Sequence, residues 1–489
     1  MYPVSNDFLD AIRQPIIEYE IDGTINETIE FDSSNIVSGS FRITNQCSTT
    51  DDVVLGSVYT GTLTATFTGI TSVQRYTWVD SVIVPYFNLY LGDSWESVPL
   101  GIFTVKEAKH CAEGVMITAY DNMIKLDEKF DEDNFSVARK MYGHLQTVCD
   151  ACGITLGMTQ AQIEAMTNGN IEIGIVGTGS CVNEEFADHG NDIDTYRDFI
   201  FWCAQTMASY ATIDRDGQLV FRQFQNENHV VDTVTEEYRL KGAVFDDYTT
   251  NYVGFYIMDS QTGGYAYYGY DVEYLETNIA ATTARQQLVI DEMNGLTRAY
   301  QQGQITWEEY QAAMKPLKKQ KKKIDKRLEW LGKALEKAQN SKPGTSMNLG
   351  ENPMLQADGV GATQARMRKN VLARLDEISY TPFSCSTVVG VHYDLGDIIQ
   401  FTGGHATEDG ETCCLMMYDF QMHGEYQMQG FGVDPIVKST KSSVQKTADK
   451  ANKNASNAII EASGGGGGGV SYRTNVANNF ELVSYTEIS

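Results

Sequence analysis

The chain has 489 residues, enough for about three domains; its 42% apolar and 11% aromatic side chains, with nine prolines, place it among globular proteins and outside the disordered and collagen-like classes. Its 37 basic against 65 acidic residues leave a net charge of −28, a repulsive field toward phosphate backbones and anionic headgroups, which excludes a general nucleic-acid-binding role. Residues 1–15 have no basic stretch followed by an apolar one, so no secretory signal is expected and the chain is expected to stay in the cytoplasm. The most apolar strip, residues 82–91, is interrupted by Pro85 and Asn88 and is half the roughly 20 residues a membrane helix requires, so no stable membrane insertion is expected. Nine cysteines scattered from Cys47 to Cys414, an odd number, make no disulfide framework for so long a chain, and reduced thiols are expected.

Residues 36–123 alternate with a period of two. Val37, Gly39, Phe41 and Ile43 share one face; Leu63, Ala65 and Phe67 alternate with Thr62, Thr64 and Thr66; Val115, Ile117 and Ala119 alternate with Met116, Thr118 and Tyr120. Short strands at this spacing, punctuated by turn-rich stretches at 48–52 and 91–93, predict a β-sandwich or barrel over residues 1–130, completed by 230–278. Residues 131–229 read as a small α+β domain. Stretches 137–151 and 195–210 predict helices, the second with Phe199, Cys203, Ala204 and Met207 along an apolar stripe. Residues 171–175 predict a strand, and the turn Asp214-Arg215-Asp216-Gly217 between 211–213 and 219–221 predicts a hairpin.

After Tyr-rich strand material at 252–274, residues 279–345 predict an inserted helical hairpin. Gly303 suits the stop of its first arm, and Thr306 with Glu309 forms a capping box for the second. Trp307, Tyr310, Met314, Leu317, Lys321, Ile324, Leu328, Leu331, Leu335 and Ala338 step by 3 and 4 in a heptad register with one lysine in the seam. Val289, Met293, Leu296 and Tyr300 of the first arm are expected to pack against it, and Pro316 to kink or split the second arm. Strands at 386–391, 398–401, 414–422 and 426–431 make 346–437 a second β-domain. Beyond it Val444, Ala448, Ala451, Ala455, Ala458 and Ala462 form a thin Ala-lined heptad stripe over 438–463, too weak to stand alone and suited to identical neighbours; Gly464 to Gly469 opens a flexible tail over 464–489.

The candidates for chemistry each have a plain structural reading. Cys149-Asp150-Ala151-Cys152 has metal-ligand and redox spacing with His144 on the same helix, but Cys181 and Cys203 are isolated, and buried helix-face cysteines before Gly153 account for the pair. Cys413 and Cys414 sit in a strand, pointing to opposite faces. Gly174-Ile175-Val176-Gly177-Thr178-Gly179-Ser180 lacks the lysine of a phosphate loop, Asp214 to Gly217 lacks the closing glutamate of a calcium loop, and Asp127, Glu128, Asp131, Glu132 and Asp133 read as a solvated acidic linker. No hydrolase motif is present, so no catalytic residue, cofactor site or metal site is assigned and the chain is not expected to be an enzyme. Residues 315–342 hold eleven basic residues (Lys315, Lys318, Lys319, Lys321, Lys322, Lys323, Lys326, Arg327, Lys333, Lys337, Lys342) against Asp325, Glu329 and Glu336, a local +8 that leaves −36 on the rest. This face is expected to dock on an acidic protein surface.

Several segments together resemble a known family. Asn35-Ile36-Val37-Ser38-Gly39-Ser40-Phe41, Val98-Pro99-Leu100-Gly101-Ile102-Phe103-Thr104-Val105 and Thr118-Ala119-Tyr120-Asp121-Asn122-Met123 are similar to the N-terminal part of bacteriophage tail hub proteins, also called tail-associated lysins or prophage endopeptidase tail proteins. Arg215-Asp216-Gly217-Gln218-Leu219, Glu351-Asn352-Pro353-Met354-Leu355 and Leu395-Gly396-Asp397-Ile398-Ile399 resemble its later landmarks, in order, over about residues 1–275 and 346–440. The resemblance implies a fold like the contractile-phage baseplate hub: α+β and mostly β, with two tube-like β-barrel domains (1–130 and 346–437) bracketing the α+β domain (131–229), plus the inserted hairpin and a C-terminal trimeric coiled-coil helix. The peptidoglycan-cleaving domain many members carry has no room here, so lytic activity is not carried over.

The implied function is mechanical. A homotrimer would present six β-units to a six-fold tail tube. As the tail-tip or baseplate hub of a virion assembled in the host cytoplasm, it would close the channel, anchor receptor-binding or fibre proteins, and act in host attachment and genome ejection. Its implied partners are the distal tail protein, the tail tube and the tape measure protein, with DNA passing through an acidic channel without specific binding. A virion-associated cell-wall hydrolase and a glycan- or receptor-binding tip protein are the alternatives.

Overall fold

A computed structural model describes residues 1–70, 77–135, 139–173, 193–225, 228–258, 265–269, 272–340, 344–350, 352, 354–355 and 362–433. The Gly174 to Ser180 segment, Cys181, Glu351, Pro353, Lys342, the heptad stripe over 438–463 and the tail over 464–489 lie outside the described residues.

Helix α1 (Asn6–Ile12) starts at Ser5, whose hydroxyl accepts the Phe8 N–H at 3.0 Å. Eight strands follow: β1 (Tyr19–Ile25), β2 (Ile29–Phe31), β3 (Arg42–Gln46), β4 (Thr62–Phe67), β5 (Val82–Tyr90), β6 (Trp95–Pro99), β7 (Phe103–His110) and β8 (Val115–Asp121). β1 and β2 are joined through Asn26, Glu27 and Thr28, the first two left-handed (φ 52° and 61°), the arrangement of a type I′ turn whose twist matches the strands it connects. A β-carbon at Glu27 is a cost there. Glu27→Gly is expected to stabilise the fold by about 0.5–1 kcal/mol, read as a rise in the unfolding midpoint. The period-two pattern is realised on β4, where Leu63, Ala65 and Phe67 are buried. It fails before β3: Gly39 is left-handed (φ 73°) and the Ser40 N–H bonds to the Val37 carbonyl, so residues 37–41 form a turn and the strand starts at Arg42.

The α+β segment holds β9 (Arg139–Lys140), α2 (Met141–Cys152), α3 (Gln160–Ala165), β10 (Glu172–Ile173), α4 (Tyr196–Thr206), β11 (Tyr210–Ile213) and β12 (Leu219–Arg222). Helix α2 begins at Met141, not 137, because Arg139 and Lys140 pair with Ile173 and Glu172. The expected hairpin is β11–β12. Next come β13 (Val230–Thr235), β14 (Val244–Phe245), β15 (Thr250–Met258), β16 (Tyr265–Gly269), α5 (Val272–Gln301), α6 (Trp307–Asn340), β17 (Thr345–Asn348), α7 (Ala362–Leu375), β18 (Ser379–Tyr380), β19 (Phe383–Thr387), β20 (Ile398–Thr402), β21 (Glu411–Cys414), β22 (Met417–Gln421) and β23 (Tyr426–Gly430). The expected strand over 414–422 is two strands, β21 and β22.

The fold class is α+β and mostly β. Twelve strands form one sheet in the order β14-β19-β23-β22-β3-β4-β8-β7-β5-β1-β2, with β6 on β5. N-terminal and C-terminal strands meet in it at β3 and β22, an antiparallel pair in which Ile43 faces Phe420 and Arg42 faces Gln421. Arg42 clamps the join, its Nε donating to Asp419 at 2.7 Å from a residue 377 positions away. Residues 230–245, expected to complete the first β-domain, pair elsewhere: β13 lies parallel to β20 and β14 antiparallel to β19, both strands of the C-terminal segment.

One core lies on the inner face of the twelve-stranded sheet, with Phe8, Phe41, Phe67, Phe87, Phe420, Tyr426 and Met428 buried. A second joins α2, α4, β11, β12, β15 and α7. Helix α7 escaped the sequence reading although Met367, Val371 and Leu375, all buried, step by four along it.

The hairpin departs from one sheet and returns to it, since β16 and β17 both pair with β15. Leu275 near the start of α5 packs on Leu331 and Ala334 late in α6, and Val289 packs on Leu317 and Ile324, so the arms are antiparallel. Thr306 and Glu309 form the expected capping box. The seam lysine is neutralised in place, as Lys321 Nζ donates to Asp325 at 2.9 Å and Asp325 also accepts from Gln286 of α5 at 2.6 Å. Helix α6 runs from Trp307 to Asn340 through Pro316 without splitting; the proline forfeits one backbone hydrogen bond, which the long apolar seam outweighs.

Candidate functional site

The chemical candidates are embedded in structure. Cys149 and Cys152 are buried in the α2 core, and burial pushes both thiols up to about 12, away from the reactive thiolate form. His144 is buried beside them with Nε2 2.8 Å from the Ile173 carbonyl, and burial brings its pKa down to about 4. Cys413 packs into the sheet core and Cys414 into the α+β core, on opposite sides of β21. Asp214 Oδ1 accepts the N–H groups of Asp216 and Gln218 at 3.0 and 2.8 Å, holding a turn, and Asp127 pairs with Arg197. Among the described residues no group of three or more His, Cys, Asp or Glu is placed to hold a metal ion, and no helix is long and apolar enough to cross a membrane. Replacing Cys149 and Cys152 together by Ser is expected to leave the bound-metal content by elemental analysis unchanged and to cost about 1–3 kcal/mol through buried hydroxyls.

What the fold does bring together is a junction. A cavity of about 360 Å³ is lined by β3, the 100–103 loop, the β11–β12 turn, residues 391–395 and β22. Arg215 spans it. Its Nε and Nη2 donate to Asp394 Oδ1 at 3.0 and 2.9 Å, Nη2 also to the Tyr393 carbonyl at 3.0 Å, and Nη1 to the Pro99 carbonyl at 2.9 Å. Arg222 reaches the Leu395 carbonyl at 3.3 Å and the other Asp394 oxygen at 3.5 Å. Burial raises the Asp394 pKa, but the two guanidinium groups and the Met1 ammonium, 3.5 Å from Oδ2, prevail and hold it below the ordinary carboxylate value.

Four segments far apart in sequence thus share one polar node. Asn122 closes it from below, donating to the Gly217 carbonyl at 2.7 Å. Gly396 sits over Tyr210 with φ 85°, where a Cβ would come within 2.2 Å of the Tyr210 hydroxyl, and that hydroxyl donates to the Leu395 carbonyl at 2.7 Å. Asp121, fully buried, accepts from Gly61 and Met123 N–H groups at 2.8 and 3.0 Å; burial outweighs these bonds and pushes its pKa up to about 7.

Asn352 has the same kind of role in the other core. It is fully buried, and its Nδ2 donates to the Trp202 carbonyl at 3.2 Å and to Gln205 Oε1 at 2.8 Å of α4. The landmark residues Pro99, Asn122, Arg215, Gly217, Asn352 and Gly396 are therefore tertiary fasteners. The Asp394 carboxylate that Arg215 binds carried no sequence signal, because only its contacts distinguish it from 64 other acids.

No protein-family model and no curated protein matches the sequence. Among solved structures, the chain is similar to the 43 kDa tail protein of prophage MuSo2 from Shewanella oneidensis, at 10% identity and a TM-score of 0.41 over 86% of this chain and 97% of that one. It is also similar to a chain of the phage P2 baseplate in its activated conformation with Ca, at 8% identity and a TM-score of 0.28 over 85% of this chain and 100% of that one. A further likeness is to a topological model of the P2 virion baseplate in the activated conformation, at 8% identity and a TM-score of 0.26 over 84% and 98%. These structural neighbours are a prophage tail protein and a phage baseplate.

Proposed function

We propose that the chain is a structural protein of a phage tail, the hub at its tip or baseplate. The observation that carries this reading is the junction: motifs resembling hub landmarks, separated by up to about 300 residues of sequence, meet as half-buried fasteners between an N-terminal and a C-terminal set of strands that share one sheet. Such a body transmits load between its segments. In this proposal the segments 1–130 and 346–437 act as two tube-forming β-units, so that three copies present six to a tail tube. The 131–229 segment braces them, and residues 438–463 provide the three-fold stem.

The trimer closes the channel before infection, contacts the distal tail protein, the tube and the tape measure protein, and anchors receptor-binding or fibre proteins. DNA crosses an acidic channel without counterion-releasing contacts. In this reading the chain has no catalytic role.

Mass photometry of the full chain, alone and with purified tail tubes, tests the proposal. The expected result is a species of three times 54.4 kDa that caps tube ends. A species that stays monomeric or dimeric on tubes, or clearing of a cell-wall zymogram at micromolar protein, overturns it.

A further inference from the structure

On α6, Lys315, Lys319, Lys322 and Lys326 are exposed and make no ion pair among the described residues. At 100° per residue they fall within about 60° of one another, on the side opposite the Leu317–Ile324–Leu331 seam, and cover about 16 Å of helix. At the other extreme, the strands at one end of the sheet, β2, β1, β5 and β6, contain no Lys or Arg. Glu18, Glu20 and Asp22 project from the same face of β1 at alternate positions, with Glu18 continuing the ladder through its carbonyl to the Tyr90 N–H. Glu30 lies on that face beside them, since its residue pairs with Thr24. This acidic row is about 14 Å long and ends at β2, the terminal strand of the sheet. It too has no ion pair among the described residues.

We infer that the lysine row of α6 docks on the acidic β1–β2 end of the sheet in a second copy of this chain. The two rows are opposite in sign and alike in length and spacing, and neither makes an ion pair within its own copy among the described residues. Lysine point charges on a convex helix, with no aromatic side chain between them, suit a row of carboxylates better than they suit stacked bases. Because the two surfaces differ, the contact is head-to-tail and links copies into a ring when the rotation closes. It rests on the hub reading in one respect, that several copies share an assembly, and gives the inserted hairpin the task of clasping the neighbour.

The test is carbodiimide cross-linking, which joins amines to carboxylates in contact, on an equimolar mixture of ¹⁴N- and ¹⁵N-labelled full chains. Mixed-isotope cross-links between residues 315–326 and residues 18–30 are expected, falling at least about tenfold between about 50 mM and about 500 mM salt. Lys315→Glu, Lys319→Glu, Lys322→Glu and Lys326→Glu together should weaken self-association at least about tenfold, as should Glu18→Lys, Glu20→Lys, Asp22→Lys and Glu30→Lys together. Mixing the two charge-reversed chains should restore association, because the reversed helix then meets the reversed sheet. A trimer that forms without these cross-links overturns this inference and leaves the hub reading standing, whereas no association in any condition overturns both. Failure of the charge swap to restore association, with the wild-type lysine face retarding duplex DNA in a gel, assigns the face to nucleic acid instead.

Discussion

Arg215→Ala is expected to destabilise the folded chain by about 3–5 kcal/mol, the range for removing one partner of a buried ion pair. The guanidinium satisfies the Asp394 carboxylate and the carbonyls of Tyr393 and Pro99 at once, from a side chain only 17% exposed, against a partner 19% exposed. Alanine leaves all three acceptors short of a donor, with Arg222 and the Met1 ammonium, each at 3.5 Å, left near the carboxylate. The cation also stacks over the Tyr2 ring at 5.0 Å, so packing is lost with the charge. Asp394→Ala alone leaves Arg215, Arg222 and the Met1 ammonium without their shared carboxylate and should cost a similar amount. The double variant should cost less than the sum of the singles by at least about 1 kcal/mol. Denaturant unfolding followed by tryptophan fluorescence measures all three. Additive single costs, or an Arg215→Ala loss below about 1 kcal/mol, would mean the node does not fasten the segments.

Acid should weaken the fold well above the range where surface carboxylates titrate. His144 and His392 are buried in apolar surroundings and their pKa values fall from the ordinary 6.5 to about 4 and about 3. For His392 burial leads, with Asp232 opposing it and the cations of Arg215 and Arg13 adding to it. The ring packs edge-on to Phe8 at 6.0 Å and against Tyr393 at 4.1 Å. Both imidazoles are less basic folded than unfolded, so protons go to the unfolded chain first. Stability is therefore lost as pH falls below 6.5, and continues to be lost until the folded values are reached.

Asp121 works the other way. Its carboxyl rises from 3.8 to about 7, so the folded chain takes the proton first; the stability this adds is complete below 3.8 and disappears as pH rises through about 7. At about 1.4 kcal/mol per pH unit per group, two histidines against one aspartate leave a net loss of about 1.4 kcal/mol for each pH unit between about 6 and about 4. His392→Phe should flatten this acid limb, and Asp121→Asn should steepen it while costing about 1–2 kcal/mol at neutral pH through one lost backbone hydrogen bond. Unfolding midpoints measured across that range decide the matter, and an acid limb unchanged in His392→Phe would remove the histidine explanation.

Much was legible wherever a single element carries its own pattern. The seam of α6 is half-buried or buried from Tyr310 to Ala338 because a heptad register commits every third or fourth side chain to one partner, whatever that partner is. The alternation on β4, the β11–β12 turn and the Thr306–Glu309 cap were legible for the same reason: each is decided within a few residues. The opposite faces of Cys413 and Cys414 follow from strand geometry alone. The sequence reading failed where local signals compete. Gly39 fits a strand alternation but also a left-handed turn, and the turn prevailed; the Met367–Val371–Leu375 stripe is short and flanked by glycine-rich sequence, which masked α7.

By itself, then, the sequence determined the acidic surplus, the strand-rich class, the order of segments and the presence of a helical hairpin with a basic outer face, since composition and short-range periodicity act before any tertiary contact forms. Only the tertiary structure decided that β3 pairs with β22, that residues 230–245 join the C-terminal strands, and that Pro99, Arg215 and Asp394 share one node. Strand pairing is chosen by which edges and apolar faces remain unsatisfied once all segments have collapsed. A buried carboxylate acquires its role only from the cations that surround it, and neither condition is written in any stretch of neighbouring residues.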